Sequence, residues 1–193
     1  MSVSPSSLRT IPANSNISLY NVESNGSLHN YLRHINNYVC SEYFGPYEIF
    51  GHEQNGILNV DMQDIPFEEN RFDYVISTEV FEHIPNPYKA FQETHRILKK
   101  GGSHIFTVPY KGGEKDEVRS VLNEKNEIVH LMEPQYHGDP IRAEEGIIVF
   151  TIFSEEMISR LEAMGFLVVV DNKRSLLYGI LGDGNIVFTA TKI

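Results

Sequence analysis

The chain has a single cysteine, Cys40, in 193 residues. No internal disulfide can form, and a buried reduced thiol is the expectation. Positive charge is scarce: 16 Lys and Arg face 26 Asp and Glu, for a formal net charge of −10. That balance disfavours an extended nucleic-acid groove, where affinity comes largely from Lys and Arg on phosphates. No apolar run approaches the roughly 20 residues needed to span a bilayer. The first residues lack the basic, apolar signal region of a secreted chain, so a cytoplasmic location is expected. Internal repeats and Pro/Gly/Ser-rich linkers are also missing. The expectation is a mobile N-terminus over 1–15, then one domain over 16–193 with an insertion at about 110–150.

What is present is an alternation of short apolar runs and amphipathic stretches. Phe72 to Ser77 is a mostly apolar run of the kind buried on both faces of a sheet. Asn86 then Pro87 reads as a helix start, with a capping side chain and a proline whose missing N–H costs nothing there. Tyr88, Phe91, Thr94, Ile97 and Leu98 recur at three- and four-residue spacing and make one apolar stripe. Lys99 and Lys100 oppose the negative end of that helix, and Gly101 can take a left-handed closing conformation. Ser103 to Val108 reads as another strand. Strand, helix, strand at this length is a parallel crossover, so an α/β sheet is expected. Further strands are placed at Ile17–Val22, Tyr38–Ser41, Gly56–Val60, Phe166–Asp171 and Asn185–Lys192. Helices are placed at Leu28–Ile35 and after the N-cap Ser154, where Met157, Ile158, Leu161 and Met164 form the apolar face.

Asp61-Met62, Asp64-Ile65-Pro66-Phe67, Phe72-Asp73-Tyr74-Val75, Glu82-His83 and Leu98-Lys99-Lys100-Gly101-Gly102 follow one another over about residues 56–110. This series resembles the second half of a class I S-adenosylmethionine (SAM)-dependent methyltransferase of the "type 11" kind. The resemblance implies a Rossmann-like, mostly parallel sheet in the order 3-2-1-4-5-7-6, with an antiparallel last strand. It implies SAM as cofactor and a methyl acceptor of small-molecule or glycan-like kind.

The resemblance also assigns residues. Glu42, after the second strand, matches the carboxylate that accepts from the ribose hydroxyls, and Asp61 the one that accepts from the adenine amino group. The Met62 N–H would reach a ring nitrogen while its side chain covers the purine. Ser77 and Thr78 follow the fourth strand, where backbone meets the methionine part of the cofactor. The first turn departs from the pattern. Tyr20 stands where an acidic residue is usual, Val22 and Ser24 replace two glycines, and only Gly26 matches. Glu23 and Asn25 would act there from shifted positions.

His137 and His83 are the candidate proton acceptors on the acceptor side, with Gly138-Asp139-Pro140 as the turn presenting His137. A hydrogen-bonded turn histidine is the plainer reading of each. His130, His137 and Asp139 lack metal-ligand spacing, so no metal is assigned. Three rival functions stand beside this one. A methyltransferase-like module without catalysis, regulating a partner, fits the eroded glycine turn. A nicotinamide dehydrogenase would need a Gly-x-Gly-x-x-Gly and a Tyr-x-x-x-Lys pair. A nucleic-acid methyltransferase would need an Asn/Asp-Pro-Pro-Tyr turn where Ser77-Thr78-Glu79-Val80 stands. A protein partner or an oligomer would supply cover over the cofactor at the short N-terminal side.

Overall fold

The computed structural model describes residues 11–45, 48–138, 146–172 and 185–193. Eight strands form one sheet. In chain order they are β1 (Ser18–Asn21), β2 (Asn37–Glu42), β3 (Glu53–Gln54), β4 (Ile57–Asn59), β5 (Phe72–Thr78), β6 (Leu98–Thr107) and, after the strands β7 to β12 given below, β13 (Phe166–Asn172) and β14 (Ile186–Lys192). Their spatial order is β3-β4-β2-β1-β5-β6-β14-β13. Setting aside the two-residue edge strand β3, this is the expected 3-2-1-4-5-7-6 order. The β1, β2, β4, β5 and β6 pairings are parallel, and β14 runs antiparallel to both β6 and β13.

Alternation along the strands sends side chains to two faces. Leu19 and Ile76 join Leu32 and Ile35 on one side, where helix α1 (Gly26–Leu32) lies. Tyr20, Phe72, Phe106 and Phe188 join the other side with helices α2 (Pro87–Ile97) and α3 (Glu155–Ala163), through Phe91, Ile97, Met157 and Leu161. Each fully buried Phe or Leu in that layer contributes about 1.5–3 kcal/mol.

Both main helices begin as their sequences require. The Asn86 side chain accepts from the Lys89 N–H with Pro87 in the first turn, and Ser154 accepts from the Glu156 N–H. The end of α2 differs from the expectation. The chain leaves the helix extended at Leu98, and Gly101 (φ 79°) closes a bulge at the start of β6 instead. Lys99 does not serve the helix dipole; its ammonium lies 2.7 Å from Asp73 Oδ2, and that oxygen also accepts from the Ser18 N–H at 2.8 Å. At Gly102 a Cβ would stand 2.9–3.0 Å from the carbonyl oxygens of Lys99, Asp73 and Phe72, so only glycine fits the bulge.

Between β6 and α3 lie three two-stranded ladders: β7 (Glu117–Val118) with β12 (Thr151–Ile152), β8 (Ser120–Leu122) with β9 (Ile128–His130), and β10 (Tyr136–His137) with β11 (Ile147–Ile148). They stand at the carboxyl end of β6. A short hairpin was expected here, and β8–β9 is one, closed by the Asn123 N–H on the Glu127 carbonyl at 3.0 Å. Asp139 and Pro140, the turn expected to present His137, lie outside the described residues, as do residues 1–10 of the N-terminus.

Candidate functional site

Because β1, β2, β4 and β5 are parallel, the residues after them gather at one edge of the sheet, where the strand order reverses between β1 and β5. The loop after β1 is tied across this edge. Ser24 donates to Glu42 Oε1 from its N–H (2.8 Å) and its hydroxyl (2.9 Å), and the Asn25 amide adds a third donor at 3.3 Å. Glu42 Oε1 is thus filled by protein, while Oε2 makes no hydrogen bond to the described residues. Glu23 lies close to Thr78, which favours its charged form; burial nevertheless raises its carboxyl pKa, with the nearby Glu42 charge adding to the rise. Gly26 opens α1 at φ 82°, a conformation L side chains rarely adopt.

The two missing glycines prove less obstructive than their size suggests. Val22 is 8% exposed and turns into the core, and Ser24 turns towards Glu42. Tyr20, at the usual acidic position, is fully buried; its hydroxyl sits 2.6 Å from Ser41 Oγ and donates to Met62 Sδ at 3.6 Å. Burial raises its pKa and keeps the phenol neutral. Met62 therefore packs inward at 5% exposure, so its side chain is not available to a purine face. That expectation is corrected: the side chain belongs to the core.

Asp61 holds the geometry of a turn cap. Its Oδ1 accepts from the Gln63 N–H at 2.8 Å, and the Gln63 side-chain amide reaches Oδ1 and Oδ2 at 3.1 and 3.3 Å. Ser77 is buried with its hydroxyl 2.9 Å from His104 Nε2, so its side chain supports the core, not the crevice. Thr78 is exposed. Glu79 has φ 52° and anchors its N–H on the Thr107 carbonyl at 3.1 Å. A non-glycine residue held there is strained by about 1–3 kcal/mol, a condition that clusters at functional edges.

Beyond Glu79 a 3₁₀ turn, Phe81–His83, carries a group that sequence reasoning passed over. Glu82 is fully buried, and neither carboxylate oxygen has a hydrogen-bond partner among the described residues. Its Oε1 lies 3.5 Å from His83 Nε2 and 3.6 Å from His137 Nδ1. Burial, with the Glu79 carboxylate beside it, pushes the Glu82 carboxyl up to about 8. The two candidate histidines are thus brought together, their rings edge-to-face with centroids 5.0 Å apart. His130 is instead tied to Ser120 Oγ at 3.0 Å. The spacing Glu79-x-x-Glu82-His83 was the available signal.

Residues 26–106 match the family described as a methyltransferase domain. The strand order is that of the Rossmann-like methyltransferase fold. The chain is 42% identical over 52 residues to phosphoethanolamine N-methyltransferase 2 of Caenorhabditis elegans, covering 26% of this chain and 12% of that protein. It is 31% identical over 61 residues to the sarcosine/dimethylglycine N-methyltransferase of Halorhodospira halochloris, covering 32% and 22%. The chain thus spans less than a quarter of either relative. Among solved structures, a SAM-dependent methyltransferase from Mesorhizobium loti superposes with a TM-score of 0.58 at 12% identity, covering 97% of this chain and 96% of that one. No helix among the described residues is long and apolar enough to cross a membrane.

Proposed function

We propose that the chain binds SAM at the carboxyl edge of β1, β2, β4 and β5 and methylates a small-molecule acceptor presented from the side of His83 and His137. The carrying observation is the convergence of the Glu23–Gly26 loop, Glu42, Asp61 and Thr78 on one edge of a methyltransferase sheet. When bound, the cofactor supplies a methyl group on a sulfonium, open to in-line displacement. Glu42 Oε2 would accept from the ribose hydroxyls, the backbone at Asp61–Met62 would meet the adenine, and the backbone at Thr78 the methionine part. The protein's main contribution is alignment of the two reactants. An acceptor that carries a proton on its nucleophilic atom would have to lose it during the transfer. His137, with a side chain 31% exposed, would take that proton. Both relatives named above are N-methyltransferases of small molecules, which supports a small polar acceptor.

A second reading has its own observation. Gln63 occupies both oxygens of Asp61, and Ser24 and Asn25 occupy one of Glu42, as in a module that has closed its cofactor site. Calorimetric titration with SAM and with S-adenosylhomocysteine separates the two. Binding of either supports the enzyme; a folded chain that binds neither at millimolar ligand refutes it and leaves the regulatory module.

A further inference from the structure

We propose that Glu82, His83 and His137 hold a divalent first-row transition-metal ion. The three offer one carboxylate oxygen and two imidazole nitrogens, with the ligand atoms all within 4.8 Å of one another. An ion bonded at about 2.0–2.1 Å in tetrahedral geometry sets its ligands about 3.4 Å apart. The separations of 3.5 and 3.6 Å from Glu82 Oε1 to the two nitrogens need only a slight closing to meet that. Glu82 is the second observation: a fully buried carboxylate, aimed between two imidazoles, with no hydrogen bond to either oxygen among the described residues. Such a group is costly unless it is paired, and a cation at this point supplies the partner.

The surroundings are those of a metal site. His83 Nδ1 lies 2.7 Å from the Ile148 carbonyl, which can only accept, so Nδ1 carries the proton and Nε2 presents its lone pair towards Glu82. The Phe150 N–H donates to the Glu82 carbonyl at 2.7 Å, and β10 is paired to β11 through His137 and Ile147. The same stretch of chain therefore fixes both the 3₁₀ turn and the strand that brings His137. The Gln135 amide stands 3.5 Å from His137 Nε2. The side chains of His83 and His137 are 11% and 31% exposed, which leaves the ion an entry path and a coordination position open to solvent. Two imidazoles exclude the oxygen-only preference of magnesium and calcium and suit zinc, iron, manganese or cobalt. Resting on the methyl-transfer reading, the open position would take the acceptor's nucleophilic atom, and the ion would ease the loss of its proton to solvent water, in place of the imidazole.

The test uses the untagged full chain, stripped with chelator and titrated with Co(II) while its visible absorption is followed, with Zn(II) and Mg(II) as competitors. One equivalent of Co(II), displaced by Zn(II) and not by equal Mg(II), is expected. Glu82→Gln and His137→Ala should each weaken binding by about 100-fold or more, whereas His52→Ala, at an exposed position, should leave it unchanged. Circular dichroism checks folding, and His137→Ala at a partly exposed site decides the matter should Glu82→Gln unfold. No binding by the parent chain, binding within threefold in folded variants, or equal displacement by Mg(II) overturns the assignment. S-adenosylhomocysteine affinity, measured on the same samples, tests the cofactor site separately: its absence would overturn the proposed function and leave the metal result standing.

Discussion

Replacing Glu42 tests two roles that one carboxylate combines. Oε1 holds the loop after β1 through three donors, two of them at 2.8–2.9 Å, and Oε2 is the proposed ribose acceptor. A hydrogen bond to a charged group contributes about 1.5–3 kcal/mol net. Glu42→Ala removes both roles, so stability should fall by about 2–3 kcal/mol and SAM affinity by a further 1–3 kcal/mol, or roughly 5- to 150-fold. Glu42→Gln parts them. Its amide oxygen can still accept from Ser24 and Asn25, while its NH₂ faces the ribose and donates where an acceptor is needed. The glutamine variant should therefore keep most of its stability, by urea denaturation, and lose nearly as much affinity as the alanine variant, by calorimetry with S-adenosylhomocysteine. Affinity within twofold of the parent in folded Glu42→Gln would refute the ribose assignment and leave Glu42 as a loop anchor.

Gln63→Ala should free the Asp61 carboxylate and strengthen, or leave unchanged, cofactor binding, whereas Asp61→Ala should weaken it by about 1–3 kcal/mol; a larger loss in Gln63→Ala, by calorimetry, would make Gln63 the true contact. Val22→Gly should cost about 2 kcal/mol or more in denaturant unfolding, because that side chain packs in the core, while Ser24→Gly should leave stability within about 1 kcal/mol since its N–H still reaches Glu42. His104 is fully buried and its pKa is depressed to about 3 by that burial, so the unfolded chain takes up a proton below its ordinary value near 6.5 while the folded chain does not. The stability it confers is full above that value and falls as pH drops, by about 2 kcal/mol at pH 5. His104→Phe should lose this part of the slope between pH 5 and 7; equal slopes in the two chains would show that the imidazole ionises in place. Gly102→Ala should destabilise by about 1–3 kcal/mol, read as a lower unfolding midpoint, because three carbonyl oxygens crowd its Cβ.

The sheet was legible because its signals are local. A capping Asn86 before Pro87, an apolar stripe from Tyr88 to Leu98 and an apolar run at Phe72 need no long-range information, and the parallel order follows from the crossovers between them. Where the structure departs from the reading, a distant partner has intervened. Lys99 lies at the end of a helix in sequence and at Asp73 in space, and Met62 follows Asp61 but is claimed by the Tyr20 hydroxyl from another strand. No period or cap could reveal either pairing.

Glu82 illustrates the same limit at the site. In sequence it is one acidic residue beside a histidine, and charged residues are almost never fully buried unless paired, so the exposed position is the default expectation. Its burial is produced by chain 55 or more residues away: Ile148 accepts from His83, the Phe150 N–H holds the Glu82 carbonyl, and His137 comes in on β10. The sequence offers the two histidines as separate proton carriers, and the structure brings their rings to 5.0 Å of one another beside Glu82. His137 was set against Asp139, its neighbour in sequence, whereas the structure sets it against Glu82, fifty-five positions earlier. The proposed acceptor side therefore rests on a contact between the 3₁₀ turn after β5 and the ladders after β6. Substitutions that loosen those ladders, such as a residue other than glycine at Gly146, where a Cβ would meet the His137 carbonyl at 2.9 Å, should disturb His137 and Glu82 together and leave the Glu42 edge intact.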